Sequence, residues 1–375
     1  MSAQPDFHGV RFARSVSMEP GEACDQLVAG LGGDGLAGVL YFASSRCDFA
    51  ALTSRLHDLL GVPTIGCTTA GEVSGVDGHA EETVIALGFL RSDFELEALL
   101  IEDVRESTPE RIAEIIEHHP FRVSDPSFGL MLIDGLSGAE ERVSAGLMQA
   151  LRHTPIIGGS AGDDLEFRRT LVAVNGVSAQ DAVALMLVKT DLPWSIYHSH
   201  HFDATDERLV ITGADPASRR VTEINGEPAS TGYARAIGLD VTELSPMVFA
   251  EHPVVLSIGG EYYVRSIQQA NADGSLTFFC AIDEGLVLRI ARGNDLPRRF
   301  SDVIGEQQER LGKLGVMIGF DCILRRIELL NRDQRDEVGR ILAGTPFFGF
   351  STYGEQFNGL HVNQTMTGVA IGRAA

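Results

Sequence analysis

Three stretches of this chain follow one pattern, and that repetition constrains the fold more than any other feature. They are PTIGCTTAGE (Pro63–Glu72), PIIGGSAGD (Pro155–Asp163) and PFFGFSTYGE (Pro346–Glu355). Each runs from proline across two residues to a glycine, then past a small hydroxyl residue to a Gly-acid pair. The surroundings repeat as well. LAGVLYFAS (Leu36–Ser44) reads as a buried strand, being a short apolar run rich in β-formers. DFAALTSRLHDLLG then sets Phe49, Leu52, Leu56, Leu59 and Leu60 at helical spacing, and Gly61 stops the helix. EETVIALGFL closes the unit as a strand. The second unit has SFGLMLIDG, then GAEERVSAGLMQALRH with Val143, Leu147 and Leu151 in register, then DAVALMLVKT. The third has GVMIGFDC, a broken helical stretch over 323–343, and MTGVAIG. Since 92 residues separate Pro63 from Pro155 and about twice that separates Pro155 from Pro346, a degenerate or replaced copy is expected between the last two.

A helix ending at glycine, followed by proline, predicts a tight return of the helix onto its sheet. The proline-led stretches are therefore read as turns, whose backbone N–H groups could converge on an anion. Each closes on an acid, Glu72, Asp163 or Glu355, where a phosphate loop would place a lysine or arginine. Nucleotide binding is not expected. The turns remain either chain reversals only or the lining of a ligand crevice at strand ends, as in open α/β sheets. GGSAG (Gly158–Gly162) matches the G-x-S-x-G elbow of serine hydrolases, but that chemistry needs a helix directly after the serine. DDLEFRRTLVAV follows instead, so Ser160 is read as a turn residue with no histidine base.

At 375 residues the chain predicts more than one packed unit. A formal charge of −22 repels nucleic-acid phosphates and anionic lipid, so neither is an expected partner. The amino terminus carries no apolar run of the secretory kind, and no stretch approaches the roughly 20 apolar residues of a membrane span. Five scattered cysteines without a CxxC spacing argue against disulfides and zinc, and fit a cytoplasmic setting.

Between the second and third units the grammar changes. DERLVITGAD and SRRVTEING read as strands joined through Asp215-Pro216, and GEPASTGYARAIG starts a helix at Pro228. VVLSIGGEYYVRSIQQANADGSLTFFCAIDEGLVLRI reads as an antiparallel meander with Gly-Gly and Asp-Gly turns. YHSHHF carries His198, His200 and His201. Strand alternation puts His198 and His200 on one face and His201 on the other, beside Tyr197. Three histidines lack a nearby carboxylate or cysteine to complete a zinc site. One imidazole in an apolar slot is enough for a haem iron, though spacing alone does not require haem.

IGCTTAGEVSG, IIGGSAGDDLEF and FFGFSTYGEQF resemble the signature stretches of the FIST sensory domains, and VTEINGEPASTGYARAIG resembles the junction between their amino- and carboxy-terminal parts. The resemblance covers about 36–372 and divides the chain into 1–222 and 223–375. SHHFDAT and YYVRSIQQANADGSLTFFCAIDEG are similar to the NosP type, bacterial haem proteins that sense nitric oxide. The resemblance implies an α/β fold of repeated strand–helix–strand units in two sheet-based lobes, with an antiparallel meander in the carboxy-terminal part. It implies a cytoplasmic sensor in two-component signalling, not an enzyme. Its partners would be a small diatomic or other small ligand, and a histidine kinase or a cyclic-di-GMP cyclase or phosphodiesterase. The cofactor would be haem b, non-covalent because no C-x-x-C-H motif exists. The histidine-pair motif falls on His200 and His201, with His198 as a further candidate. His201 is the favoured iron ligand because it can point alone into an apolar slot beside Phe202. Arg265 is a weaker candidate for a propionate, its alternative being a surface arginine on a meander strand. The family as a whole is associated with small ligands such as amino acids, which keeps a non-haem, amino-acid-like ligand open.

Overall fold

Each proline-led stretch is a strand rather than a turn. Thr64–Thr69, Ile156–Ser160 and Phe347–Thr352 are fully buried, and each pairs in parallel with the strand before its helix. The recurring glycine makes room for that neighbour. A Cβ on Gly158 would lie 1.9 Å from the Met131 carbonyl oxygen, and one on Gly349 would lie 2.0 Å from that of Gly319. On Gly66 it would meet the Tyr41 ring at 2.4 Å. Because the strand backbone is committed to sheet ladders, these stretches form no N–H nest. The chain reverses only afterwards, around Ala70–Gly71, Ala161–Gly162 and Tyr353–Gly354.

The computed structural model describes residues 5–374. The first unit comprises β1 (Val10–Ser15), α1 (Pro20–Leu31), β2 (Leu36–Ser44), α2 (Phe49–Leu60), β3 (Thr64–Thr69), a hairpin β4 (Glu72–Ser74) and β5 (Gly78–Ala80), and β6 (Val84–Leu90). The second repeats it with β7 (Glu95–Glu102), α3 (Pro109–His118), β8 (Phe128–Ile133), α4 (Glu140–Ala150), β9 (Ile156–Ser160), β10 (Val172–Val174), β11 (Val177–Ala179) and β12 (Ala182–Lys189). The third opens with β13 (Trp194–Ser199) and is then interrupted. The insertion holds β14 (Phe202–Asp215), β15 (Arg220–Ile224), β16 (Glu227–Pro228), α5 (Ala229–Ile237), α6 (Pro246–Glu251), β17 (Val254–Ile258), β18 (Glu261–Arg265), β19 (Ile267–Ala270), β20 (Leu276–Phe278) and β21 (Val287–Gly293). The unit resumes with α7 (Leu296–Leu311), β22 (Leu314–Cys322), α8 (Ile323–Asn331), α9 (Arg335–Leu342), β23 (Phe347–Thr352), β24 (Glu355–Phe357), β25 (Leu360–Val362) and β26 (Met366–Gly372). The long gap before the third proline is thus an insertion inside the third unit, not a lost copy. The sequence boundary between 222 and 223 falls within β15.

The units exchange hairpins in a closed ring. β4–β5 of the first unit pairs with β23 of the third, β24–β25 of the third with β9 of the second, and β10–β11 of the second with β3 of the first. Each exchange extends one unit's sheet with strands of another, so no unit completes its own sheet. The three sheets face a common core that includes Phe42, Ile65, Leu130, Ile157, Phe320 and Phe350. Helices cover the outer faces: α1 and α2 over the first sheet, α3 and α4 over the second, α7 and α9 over the third. In α2 the Asp48 side chain accepts from Ala51 N, and Gly61 closes the helix in the left-handed region. Leu59 is the one member of the apolar set read for this helix that is exposed, at 48%. The inserted strands form one antiparallel sheet around a separate core of Leu209, Ile224, Tyr233, Phe249, Phe278 and Leu288. These are the two sheet-based lobes: three units around one core, and the insertion.

Candidate functional site

The histidines lie where the chain leaves β13 for the inserted lobe. β13 pairs with β26 through Ser199, so strand geometry governs His198 but stops before His200. His198 is half-buried between the rings of Tyr263 and Phe357, with centroids at 5.7 and 5.4 Å. Its Nε2 is shielded from solvent and has no hydrogen-bond partner among the described residues. His200 stands edge-on to it at 5.9 Å, and its Nδ1 accepts from Phe202 N. Burial, then the neighbouring His200 and arginines, push the His198 pKa down to about 4. Burial lowers that of His200 as well. Both rings are therefore uncharged at neutral pH, as a metal ligand or lone-pair acceptor must be.

His201 borders the same cleft as His198 and His200, and its surroundings correct the apolar-slot expectation. Its side chain is wholly buried, and its Nε2 lies 2.7 Å from Glu328 Oε2. Arg325 Nη1 donates to Nδ1 at 3.3 Å, which puts the ring proton on Nε2. Arg325 is itself fully buried, bonded to Asp321 at 2.5 Å and set over the Phe300 ring at 5.0 Å. Both nitrogens of His201 are thus engaged in a buried ionic chain, and only the Phe202 ring, at 4.0 Å, matches the apolar setting.

A cleft of about 660 Å³ opens beside these residues. His198, His200 and Phe202 line one side, and the start of α7, with Asn294, Asp295, Arg298 and Arg299, lines the other. Arg299 Nε donates to Ser199 Oγ at 2.8 Å, fixing the guanidinium against the end of β13. Asp295 caps α7 by accepting from Arg298 N at 3.0 Å. The sequence expectations contain no helix over 296–311 and omit both arginines, although Asp295 and Pro297 are legible start signals. Arg265 does not line this cleft. It is buried rather than on the surface, and its Nη1 donates to the His361 carbonyl at 3.1 Å. Among the described residues no three His, Cys, Asp or Glu side chains converge as a metal site.

Ser160 ends β9 and is followed by an irregular loop, not a helix. Its Oγ accepts from Gln356 Nε2 at 2.9 Å and lies 3.5 Å from Glu140 Oε1, with no histidine bonded to it among the described residues. Glu72 and Glu355, which close the first and third stretches, are buried. Thr69 and Thr83 donate to Glu72, and Thr352 and Thr365 donate to Glu355. Asp163 instead accepts from the backbone N of Phe167, Arg168 and Arg169 and from Tyr353 OH. None of the three acids is free to meet a ligand.

A three-unit α/β core interrupted by an antiparallel lobe, with a histidine cleft at the point of insertion, defines a ligand-binding module. The chain belongs to the FIST family: the FIST N domain matches 37–227 and the FIST C domain 229–358. FIST domains are small-ligand sensing modules of signalling proteins. The chain is also similar to an uncharacterized protein of Methanocaldococcus jannaschii, 25% identical over 267 residues that cover 64% of this chain and 50% of that one. It thus spans about half the length of that curated relative. Among the described residues no helix is long and apolar enough to cross a membrane.

Proposed function

We propose that the protein is a sensor that takes its ligand in the histidine cleft, and that this ligand is haem b reporting nitric oxide to a histidine kinase or cyclic-di-GMP enzyme. The observation that carries the reading is His198, which lines the cleft with an imidazole kept neutral by burial and an Nε2 that has no hydrogen-bond partner among the described residues. Haem supplies, when bound, an iron that takes a diatomic and one imidazole. In this chain His198 offers the nitrogen, with His200 beside it, while His201 stays with Glu328. Arg298 suits a carboxylate, while Arg299 would share its guanidinium with Glu306, which Nη1 meets at 2.8 Å. The Tyr263 and Phe357 rings that flank His198 add apolar faces. Movement of His198 acts directly on β13, which pairs with β26 and is tied to α7 through Ser199 and Arg299. A ligand that favours one position of this strand shifts the population a partner meets.

The cleft lining supports a second reading. Phe202 is the single apolar side chain among its eleven lining residues, and Asp203, Asp295 and Asp302 stand there with Arg298 and Arg299, so an amino-acid-like ligand that carries both charges fits the same place without haem. Titration with haemin separates the two. The haem reading expects a Soret band, shifted by nitric oxide, with retention at least tenfold weaker in His198→Ala than in His201→Ala. Absence of a saturable Soret band in the wild type overturns it.

A further inference from the structure

A second crevice shares no lining residue with the histidine cleft. It sits at the carboxyl end of the parallel strands of the second unit, where the loop after β8 meets the inserted lobe. Open α/β sheets place ligands in such crevices, where loops rather than ladders present side chains. Its volume is about 220 Å³, small for a drug-sized molecule but adequate for one or two fused rings.

Its walls are aromatic and come from all parts of the fold. Tyr353 follows β23 of the third unit, Phe167 belongs to the loop after β9, and Phe279 follows β20 of the insertion. Phe167 and Tyr353 are stacked, with centroids 4.9 Å apart and planes at 27°. Tyr353 is buried and fixed by hydrogen bonds from its hydroxyl to Asp163 and from Leu165 N. Phe167 is 39% exposed, at a φ of 50° that disfavours any residue with a Cβ. Asp163 holds it there, its buried carboxylate accepting from Phe167 N at 3.0 Å and from the next two backbone N–H groups. The hydrogen bonds of Asp163 thus hold an unfavourable backbone conformation that keeps an aromatic ring partly open to solvent at the crevice.

The polar groups at the crevice are few and placed. Arg219 Nη2 is clamped by Glu140 at 2.6 Å and Glu141 at 2.7 Å, and Nη1 donates to the Phe279 carbonyl at 2.7 Å. The side-chain amide of Gln268 lines the crevice with no hydrogen bond to protein among the described residues. Gly135 completes the floor, for a Cβ there would meet the Ala161 carbonyl oxygen at 2.1 Å and the Tyr353 ring at 3.2 Å. With the single cation already neutralised by two carboxylates, the crevice does not favour an anion. Flat rings with one hydrogen-bonding edge complement it.

We propose that this crevice is a binding site for a small, uncharged planar aromatic ligand, stacked against Phe167 and hydrogen-bonded to Gln268. Since the insertion supplies one wall and the core the other, occupancy would fasten the two lobes together.

Ligand-observed NMR and calorimetry with benzamide, indole and adenine as probes test this on the full chain. At least one probe is expected to bind the wild type at millimolar concentration or better. Its affinity should fall about tenfold in Phe167→Ala, stay within about twofold in Phe167→Tyr, fall in Gln268→Ala, and be unchanged in His198→Ala. Three results overturn the proposal: no probe binds, binding survives in both Phe167→Ala and Gln268→Ala, or His198→Ala abolishes it and so assigns it to the histidine cleft. Unchanged unfolding midpoints in Phe167→Ala and Gln268→Ala guard against loss through misfolding.

Discussion

His201 and Glu328 face each other across 2.7 Å with both side chains sealed from solvent, joining the end of β13 to α8. The contact spans the insertion, so it ties the two halves of the split third unit together. Removing Glu328 strands the buried His201 and takes from the half-exposed Arg332 the carboxylate it meets at 3.1 Å. Glu328→Leu is therefore expected to cost about 3 kcal/mol of stability, read from the denaturant midpoint at constant slope. In a double-mutant cycle His201→Phe with Glu328→Leu should cost less than the two single changes added. Strict additivity would show that the pair is not coupled.

Stability should peak near pH 6.5, for two opposing reasons. Burial lowers the pKa of His79 to about 3 and of His198 to about 4, and lowers those of His200 and His201 as well. Below about 6.5 the unfolded chain takes up these protons and the folded chain does not, so stability is lost as the pH falls. Burial raises Glu72 to about 7 and Glu355 to about 8. Their unfolded forms ionise near 4.3, so stability is lost as the pH rises through 7 to 8. Thermal midpoints from pH 5 to 8.5 should trace this arch. Glu355→Gln should flatten the alkaline limb and His79→Phe the acidic limb.

Gly349→Ala should be among the most damaging single changes in the chain, and Gly158→Ala should match it. In each case the added methyl would sit about 2 Å from a carbonyl oxygen of the parallel neighbour, which is backbone and cannot rotate aside. Separating two buried strands sacrifices ladder bonds and core contacts together, at a cost of about 4 kcal/mol or more. Gly305→Ala, at a half-buried position of α7 with open space around the added methyl, is the control and should leave stability unchanged or slightly raised. Comparable expression and melting of all three variants would count against close packing as the reason for the motif.

The repeat is legible because every unit carries its own buried apolar strand runs and a period-3.6 helix pattern, and the first and third units add a glycine just past the helix, Gly61 and Gly344. The role of the proline-led stretch is not, since a glycine that makes room for a parallel neighbour looks locally like one that turns the chain. The hairpin exchange is silent for a similar reason: nothing in EVSGVDGHA states which unit's edge receives it. Alternation does not decide the face of His201, because β13 ends at Ser199 and His198 and His201 border the same cleft. The chemistry awaiting His201 depends on Glu328, 127 residues onward, and no local pattern reports it. Arg265 illustrates the same limit, a buried arginine whose acceptor is a carbonyl 96 residues away.

Ser160 should be inert toward a fluorophosphonate. Its side chain has no exposure, and the loop after β9 denies it the helix whose N-terminus would stabilise an attacking oxyanion. Gln356 donates to it and Glu140 lies within reach, but neither is the histidine base that generates a serine nucleophile. The hydroxyl instead gives the Gln356 amide an acceptor in a dry setting. Ser160→Ala removes that acceptor and should lower stability by about 1–2 kcal/mol while leaving ligand binding in both clefts unchanged. Mass spectrometry of the probe-treated wild type should show no adduct at Ser160. Stoichiometric labelling that disappears in Ser160→Ala would assign this chain a hydrolase chemistry that its fold otherwise does not support.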